Sequence, residues 1–351
     1  MKLLKQYPAD QIPNGYKTIG GTTISAILGR SKYGSPRGAY YQLRNEAPPT
    51  PDNPAMERGR AWEDIVAQMF AANHPEYIVV HNTQCLNKDE EGFTEQERVY
   101  DAEKPYISGS PDRLLFFKTS SPSEMTDDKM EYGLEIKTAS IRNLDEWGAP
   151  GTNQIPETYL LQVIWYMQFY PCIKQWYVAV EFFDYNENPS RYAEYVIERS
   201  AEVEKLIEYC RANAEEFWNK NVLTGVVPQN DQIDDTVKSY VKQRFHSATE
   251  PIAEANEEET NLIQQYYLAK CDYEVAKEQL AVMQLKIEET IGEREGLRSR
   301  FGNVTWKNTA GRKTTQWQNV AKEAGASQEL IDKYTKQGEA GRTFRFTVHK
   351  E

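Results

Sequence analysis

The sequence predicts a fold of the α+β (α/β) class. Three observations lead to this prediction. Short apolar runs bounded by turn residues, such as residues 105–117 and 174–183, have the length and pattern of strands. Longer segments, such as residues 55–73, carry apolar residues at helical spacing. A sustained heptad pattern over residues 257–291 predicts a long helix or helical hairpin near the C-terminus.

The composition indicates a soluble, cytoplasmic protein. Its 4 cysteines, Cys85, Cys172, Cys210 and Cys271, show no CxxC spacing, which argues against a zinc ribbon, an iron–sulfur cluster or a disulfide scaffold. The sequence has no signal-peptide pattern and no apolar run long enough to span a membrane, so we expect no membrane partner.

The net charge of -12 disfavours a general electrostatic attraction to nucleic acid, because phosphate binding depends on Lys and Arg. Any contact with DNA must therefore be local, through a basic groove or through metal ions.

Two helices are predicted before residue 45. The first follows Gly20-Gly21, with Thr22 or Thr23 as N-cap and its end at Gly29. The two glycines either allow the chain to enter the helix or help to bind a phosphate at the N-terminus of the helix. Residues 37–44 are predicted to form the second helix.

Residues 55–73 predict a third helix with one buried face. Glu63 lies at the edge of that face, which on spacing alone favours a solvent-edge residue. The segment 57–60 forms a basic patch with Arg58 and Arg60. The buried face comprises Trp62, Ile65, Val66, Met69 and Phe70.

The middle of the chain predicts most of the strands. Residues 157–170 are apolar nearly all round and predict a core helix, in which Gln162 would be costly to bury without a partner. Residues 200–221 predict another helix, with Ser200 as N-cap. The predicted strands are residues 77–86, 105–117, 131–139, 174–183 and 191–199, with a polar hairpin loop at 120–129.

The pattern of the C-terminal third favours a role in structural packing or self-association over a role in catalysis. Residues 301–307 and 342–349 alternate as strands, and a short helix is expected near 320–334. The basic face of this small module could bind DNA. More often, a basic face of this kind is simply exposed to solvent.

The chemistry is concentrated in Asp112, Glu135 and Lys137. Glu135 and Lys137 are two residues apart on one strand and therefore project from the same face. Asp112 can lie on the neighbouring strand, and two adjacent carboxylates favour a cation such as Mg²⁺ or Mn²⁺ between them. Glu63 could add a third carboxylate and the carbonyl of Ile136 a further oxygen. An isolated Glu-x-Lys pair in a strand more often forms an ordinary salt bridge.

The order of these segments along the chain favours a metal site over an ordinary salt bridge. Ser-Pro-Asp at residues 110–112, an apolar strand, a hairpin loop and Leu-Glu-Ile-Lys at 134–137 have the layout of the PD-(D/E)xK nuclease core. The chain also resembles the lambda exonuclease (YqaJ-type viral recombinase) family over roughly residues 17–200. The matching blocks are residues 19–29, 31–36, 56–63, 109–114, 134–137 and 161–166.

The resemblance implies a restriction-endonuclease-like core, a central mixed sheet flanked by helices. It implies a Mg²⁺-dependent enzyme, with Mn²⁺ as a substitute, that degrades one strand of linear duplex DNA from its 5′ end for phage-type single-strand-annealing recombination. It also implies a single-strand-annealing partner protein and a homo-oligomer, a trimeric ring.

The same resemblance assigns roles to individual residues. Asp112, Glu135, the carbonyl of Ile136 and Glu63 would bind or adjoin the metal. Lys137 would be the catalytic lysine, and Gln162 would position the phosphate or the nucleophile. Thr22 and Ser110 match hydroxyl positions that hold DNA phosphate in the family. The other DNA-binding candidates are basic residues that the resemblance does not assign, namely Lys17, Arg58, Arg60 and Arg113.

Two residues depart from the family pattern. The family's 5′-phosphate-binding arginine has no arginine counterpart before the Ile-Gly block; Lys17 is nearest. Arg113 replaces the more usual glycine after the Asp. The first departure keeps an endonuclease or nickase open as an alternative, and a non-catalytic DNA-binding scaffold is a third.

We expect four parts in the chain. Residues 1–224 would form the nuclease domain, 225–256 a linker with a short helix, 257–296 the long helix or hairpin, and 297–351 a small α/β module.

Overall fold

A computed structural model shows two compact units, Met1–His246 and Ser247–Glu351. The structure describes residues 3–4, 7–81, 98–118, 130, 132–229, 232–311 and 314–335. Cys85, the loop predicted at 120–129 and the strand predicted at 342–349 lie outside these ranges. The predicted division into four parts stays a prediction.

The N-terminal unit is built on a five-stranded mixed sheet with helices on both faces, which confirms the predicted fold class. Its strands are β2 (Tyr77–His81), β5 (Arg113–Phe117), β6 (Tyr132–Ser140), β7 (Gln175–Phe183) and β8 (Pro189–Glu198). Their order across the sheet is β2-β5-β6-β7-β8, and among these described strands only the pair β6 and β7 is parallel. A small antiparallel sheet joins β1 (Leu3–Leu4), β3 (Val99–Asp101) and β4 (Ser108–Gly109).

The helices of this unit cover both faces of the main sheet. They are α1 (Gly21–Ile27), α2 (Pro36–Leu43), α3 (Pro54–Asn73), α4 (Glu157–Met167), α5 (Ala201–Phe217) and α6 (Asp235–Arg244). The last of these packs on α2, where Asp234 accepts hydrogen bonds from the amide and the hydroxyl of Ser35 at 2.6 and 2.7 Å. Residues 235–244, predicted as part of a linker, therefore lie in the N-terminal unit.

Strand alternation in β6 divides its side chains between the two faces. Leu134 and Ile136 pack under α3 with Val66 and Phe70. Glu135 and Lys137 point the other way, toward α4. The sequence pattern that made this strand unusual thus places two charged groups under a core helix.

Several predicted helix details need correction. Gly20 is the N-cap of α1 and gives no side-chain hydrogen bond, so Thr22 and Thr23 lie inside the first turn. Gly29 does end this helix, with a φ of 67°. In α3, Ile65 is 42% exposed, because the buried stripe runs through Val66 and Phe70 instead.

The C-terminal unit contains one uninterrupted helix of 35 residues, α7 (Glu257–Ile291), and not a hairpin. An antiparallel hairpin of β9 (Gly296–Ser299) and β10 (Gly302–Thr305) follows. The single helix predicted near 320–334 is two, α8 (Trp317–Glu323) and α9 (Gln328–Tyr334), since Gly325 adopts a φ of 66° between them.

The structure also bears on the predictions about membrane-spanning segments and about cysteines. No helix among the described residues is both long and apolar enough to cross a membrane. Cys172, Cys210 and Cys271 are free thiols.

Candidate active site

The candidate active site opens on a cavity of about 1220 Å³ in the N-terminal unit, here called the site cavity. All six residues predicted to act in catalysis or metal binding line it, namely Glu63, Asp112, Glu135, Ile136, Lys137 and Gln162. They come from α3, the turn before β5, β6 and α4. The sheet pairing therefore brings together residues that are up to about a hundred positions apart in the chain.

Asp112 is fixed to the neighbouring strand. Its Oδ2 accepts a 2.8 Å hydrogen bond from the backbone amide of Ile136 in β6. Burial raises the pKa of Asp112; the ammonium of Lys137 opposes this rise, and the charge of Glu63 adds to it.

Glu135 is fully buried, with its two oxygens in different surroundings. Oε1 accepts hydrogen bonds from Lys137 Nζ and, at 2.7 Å, from Gln162 Nε2. Oε2 has no hydrogen-bond partner among the described residues. Burial raises the pKa of Glu135, and the nearby charge of Asp112 raises it further.

Lys137 is held as a cation. Burial alone would lower its pKa, but the carboxylates of Glu135 and Asp112 outweigh burial and raise the pKa of Lys137. Its ammonium also lies 5.2 Å from the ring centroid of Tyr159 on α4. A lysine with a raised pKa donates hydrogen bonds and does not act as a base near neutral pH.

Gln162 has the partners that its place in an apolar helix requires. It is 6% exposed and donates to Glu135 Oε1 and, at 3.0 Å, to the hydroxyl of Tyr166. Gly21 at the start of α1 packs against it, because a Cβ on Gly21 would lie 2.9 Å from Gln162 Cγ. Gly21 thus allows α1 to approach α4 closely.

The residues present fit a divalent cation bound by two carboxylates. A buried carboxylate oxygen without a partner is costly, and a cation beside Oε2 of Glu135 would satisfy it. Burial, and secondly the charge of a neighbouring carboxylate, raise the pKa of both Asp112 and Glu135, and a bound cation would offset both effects. In the described ranges, no three His, Cys, Asp or Glu side chains are grouped to hold a metal ion.

The third predicted carboxylate has a different partner. Glu63 Oε1 accepts a 2.7 Å hydrogen bond from Arg113. Arg113 is 4% exposed at its side chain and also contacts Asp64. The structure therefore does not place Arg113 where DNA could touch it.

The other predicted DNA-binding residues separate into two groups. Lys17, Thr22, Arg60 and Ser110 line the site cavity. Arg58 does not; its guanidinium pairs with Glu187 and stacks on Phe183, 4.7 Å from the ring centroid. The predicted basic patch thus divides, since neighbouring positions on a helix face different directions.

Arg98 is a cavity residue that sequence reasoning missed. It lies just before β3, lines the site cavity and donates a 3.2 Å hydrogen bond to the hydroxyl of Ser108. Ser108 Oγ also lies 2.7 Å from Thr18 Oγ1. No local pattern around residue 98 marks this role; the position follows only from pairing of β3 with β4.

Comparison with known proteins adds a family match. Residues 14–169 match the profile of the YqaJ-like viral recombinase domain. No curated protein matches the chain at a significant level.

Three solved structures are similar to this chain. The crystal structure of a phage-related exonuclease from Haemophilus somnus 129PT is 15% identical, with 60% of this chain and 97% of that chain covered and a TM-score of 0.38. An alkaline exonuclease from Laribacter hongkongensis is 16% identical, with coverages of 60% and 95% and a TM-score of 0.33. The complex of that exonuclease with dAMP is 17% identical, with coverages of 61% and 96% and a TM-score of 0.33.

Proposed function

We propose that this chain, whose residues 14–169 match the YqaJ-like viral recombinase domain, is a metal-dependent nuclease that hydrolyses phosphodiester bonds in DNA. One observation carries the proposal. Asp112, Glu135 and Lys137 line the same cavity, and Oε2 of Glu135 is buried without a partner among the described residues. Two acids and a lysine that line one cavity suit cleavage of a phosphodiester.

In this proposal Asp112 and Glu135 hold Mg²⁺, or Mn²⁺ in its place, with the carbonyl of Ile136 as a further oxygen. When bound, the metal would polarise the phosphodiester and lower the pKa of a bound water. The hard oxygen donors of both side chains match these cations.

The protein's own groups would supply orientation and charge. Lys137 is protonated and can donate to the attacking water or to the oxygen on which negative charge develops. Gln162 would keep Glu135 Oε1 oriented, which leaves Oε2 directed to the cation. Neither residue needs to exchange a proton for these roles.

The DNA backbone would lie along the cationic side of the site cavity. Lys17 and Arg98 line this cavity together with Thr22 and Ser110. A local basic surface of this kind reconciles DNA binding with a net charge of -12. Arg60 also lines it, although its charge is paired with Asp52.

The preferred substrate in this proposal is linear duplex DNA degraded from the 5′ end, within phage-type recombination that uses a single-strand-annealing partner. Lys17 and Arg98 line the site cavity and, in this proposal, would bind a terminal phosphate, since no arginine lies before Ile19. A homo-oligomer, a trimeric ring with DNA at its centre, belongs to the same proposal.

The test compares three DNA substrates in Mg²⁺: linear duplex with a 5′-phosphate, linear duplex with a 5′-hydroxyl, and covalently closed circles. We expect mononucleotides from linear DNA, fastest with the 5′-phosphate, and intact circles. Cleavage of closed circles would favour an endonuclease or nickase instead. If no DNA is cut with Mg²⁺ or Mn²⁺, a non-catalytic scaffold is the better account.

A further inference from the structure

Arg113 is a buried cation beside the candidate active site, and the proposed reaction gives it no role. It follows Asp112 directly and begins β5. Its guanidinium donates to Glu63 Oε1 at 2.7 Å, to Asp64 Oδ1 at 2.6 Å and to the carbonyl of Asp112 at 2.7 Å. Three hydrogen bonds from one planar group leave the side chain little freedom.

The two acidic partners of Arg113 are not equivalent. The Asp64 side chain is 82% exposed, so water screens its pair with Arg113 and the pair contributes little to stability. Both acids line the site cavity, but the Glu63 side chain is only 24% exposed, so water screens its pair with Arg113 far less. Arg113 therefore acts mainly on Glu63.

Glu63 also interacts with the two acids of the site. One guanidinium nitrogen of Arg113 donates both to Glu63 Oε1 and to the carbonyl of Asp112, and Glu63, Asp112 and Glu135 all line the site cavity. Without Arg113, a Glu at the edge of a helix could rotate toward water. The orientation of Glu63 thus depends on a residue that approaches from the sheet.

We propose that Arg113 is a positioning residue that holds the carboxylate of Glu63 at the edge of the cation site formed by Asp112 and Glu135. Arg113 binds one oxygen of Glu63, and the second oxygen can accept a hydrogen bond from water on the cation, since Mg²⁺ usually keeps several waters. This inference rests on the proposed function in one respect, that a divalent cation binds at Asp112 and Glu135.

A role in positioning and a role in charge predict opposite results for Arg113→Gln. Removal of a positive charge would by itself strengthen the binding of a cation. Loss of a group that orients a carboxylate near a metal weakens metal affinity, by about 10- to 100-fold in known sites. The direction of the change therefore distinguishes the two roles.

The experiment is calorimetric titration of the full-length protein with Mn²⁺, without DNA. We expect Arg113→Gln to bind Mn²⁺ about 10-fold more weakly than wild type, and Arg113→Lys to fall between them. Asp64→Asn is the matched control, because it removes the exposed partner of the same guanidinium, and we expect wild-type affinity. In the double variant Arg113→Gln/Glu63→Gln, affinity should be no weaker than that of Glu63→Gln alone, because Arg113 then has no carboxylate of Glu63 to orient.

Unchanged or tighter Mn²⁺ binding by Arg113→Gln would overturn the proposal, as would additive losses in the double variant. Circular dichroism establishes that each variant is folded; if Arg113→Gln is not, Arg113→Lys takes its place, and wild-type affinity in that variant then overturns the proposal. A wild-type protein that binds Mn²⁺ but leaves all DNA intact contradicts the proposed function and not the role of Arg113.

Discussion

The backbone amide of Ile136 donates a 2.8 Å hydrogen bond to Asp112 Oδ2. Asp112 precedes β5 and Ile136 lies within β6, so this bond fixes the acid beside the strand that carries Glu135. The bond also uses one of the four lone-pair positions of the carboxylate and leaves the others for a cation. Asp112 is thus oriented by the backbone before any ligand arrives.

Asp112→Asn tests whether this acid binds metal. In wild type, Mg²⁺ or Mn²⁺ at about 100 times its dissociation constant should stabilise the fold by about 2.7 kcal/mol and raise the unfolding midpoint by about 5 °C or more. The variant should show no metal-dependent rise. In EDTA it should be at least as stable as wild type, because burial disfavours the charge that it lacks. A metal-induced shift of wild-type size in Asp112→Asn would contradict the assignment.

Gln162 should affect the rate of DNA cleavage through Glu135. Loss of a hydrogen bond to a charged group costs about 1.5–3 kcal/mol, so we expect Gln162→Ala to be about 10- to 100-fold slower. Tyr166→Phe is the control, because it removes only the other partner of the amide and should change the rate by much less. Equal losses in both variants would show that helix packing, and not the contact with Glu135, is responsible.

Glu181, which does not line the site cavity, should make the free energy of unfolding depend on pH. It is 3% exposed, and burial raises the pKa of Glu181 while the backbone amides of Arg191 and Ser190 partly oppose the rise. Because its folded pKa exceeds the unfolded one, its contribution to stability is present below the unfolded pKa and lost as pH rises through the folded pKa.

Glu181→Gln should remove that dependence. The free energy of unfolding of the variant, relative to wild type, should therefore increase from about pH 4 to about pH 8. Denaturant titrations at both pH values measure it. Parallel stability curves for the two proteins would show that this carboxylate does not titrate differently on folding.

The first compact unit should cleave DNA without the second. Every candidate catalytic and metal-binding residue lies within Met1–His246, which has its own sheet and core. We expect a chain that ends at residue 246 to fold and to release nucleotides from linear duplex DNA in Mg²⁺. A folded but inactive fragment would assign part of the chemistry to residues after 246.

The alternation of charged and apolar residues in β6 made the core of the site predictable. Glu135 and Lys137 share a strand face by covalent geometry alone, and Gln162 stands out because a polar group in an apolar helix needs a partner. These signals are local, and the structure places all three residues on one cavity.

The surroundings of these residues were not predictable in the same way. Arg113 pairs with Glu63 across 50 positions, so its burial depends on how α3 packs on the sheet. Arg58 and Arg60 form one patch in sequence but separate on the helix. Arg98 reaches the cavity only through strand pairing. Such roles follow from tertiary contacts that no periodicity encodes.

The most direct test of a hydrolytic site at Asp112, Glu135 and Lys137 is the rate of nucleotide release from linear duplex DNA by Lys137→Ala in Mg²⁺, beside wild type and with both proteins folded by circular dichroism. Loss of the ammonium that stabilises developing charge should slow release by about 100- to 1000-fold. Full activity in Lys137→Ala would contradict the site assignment.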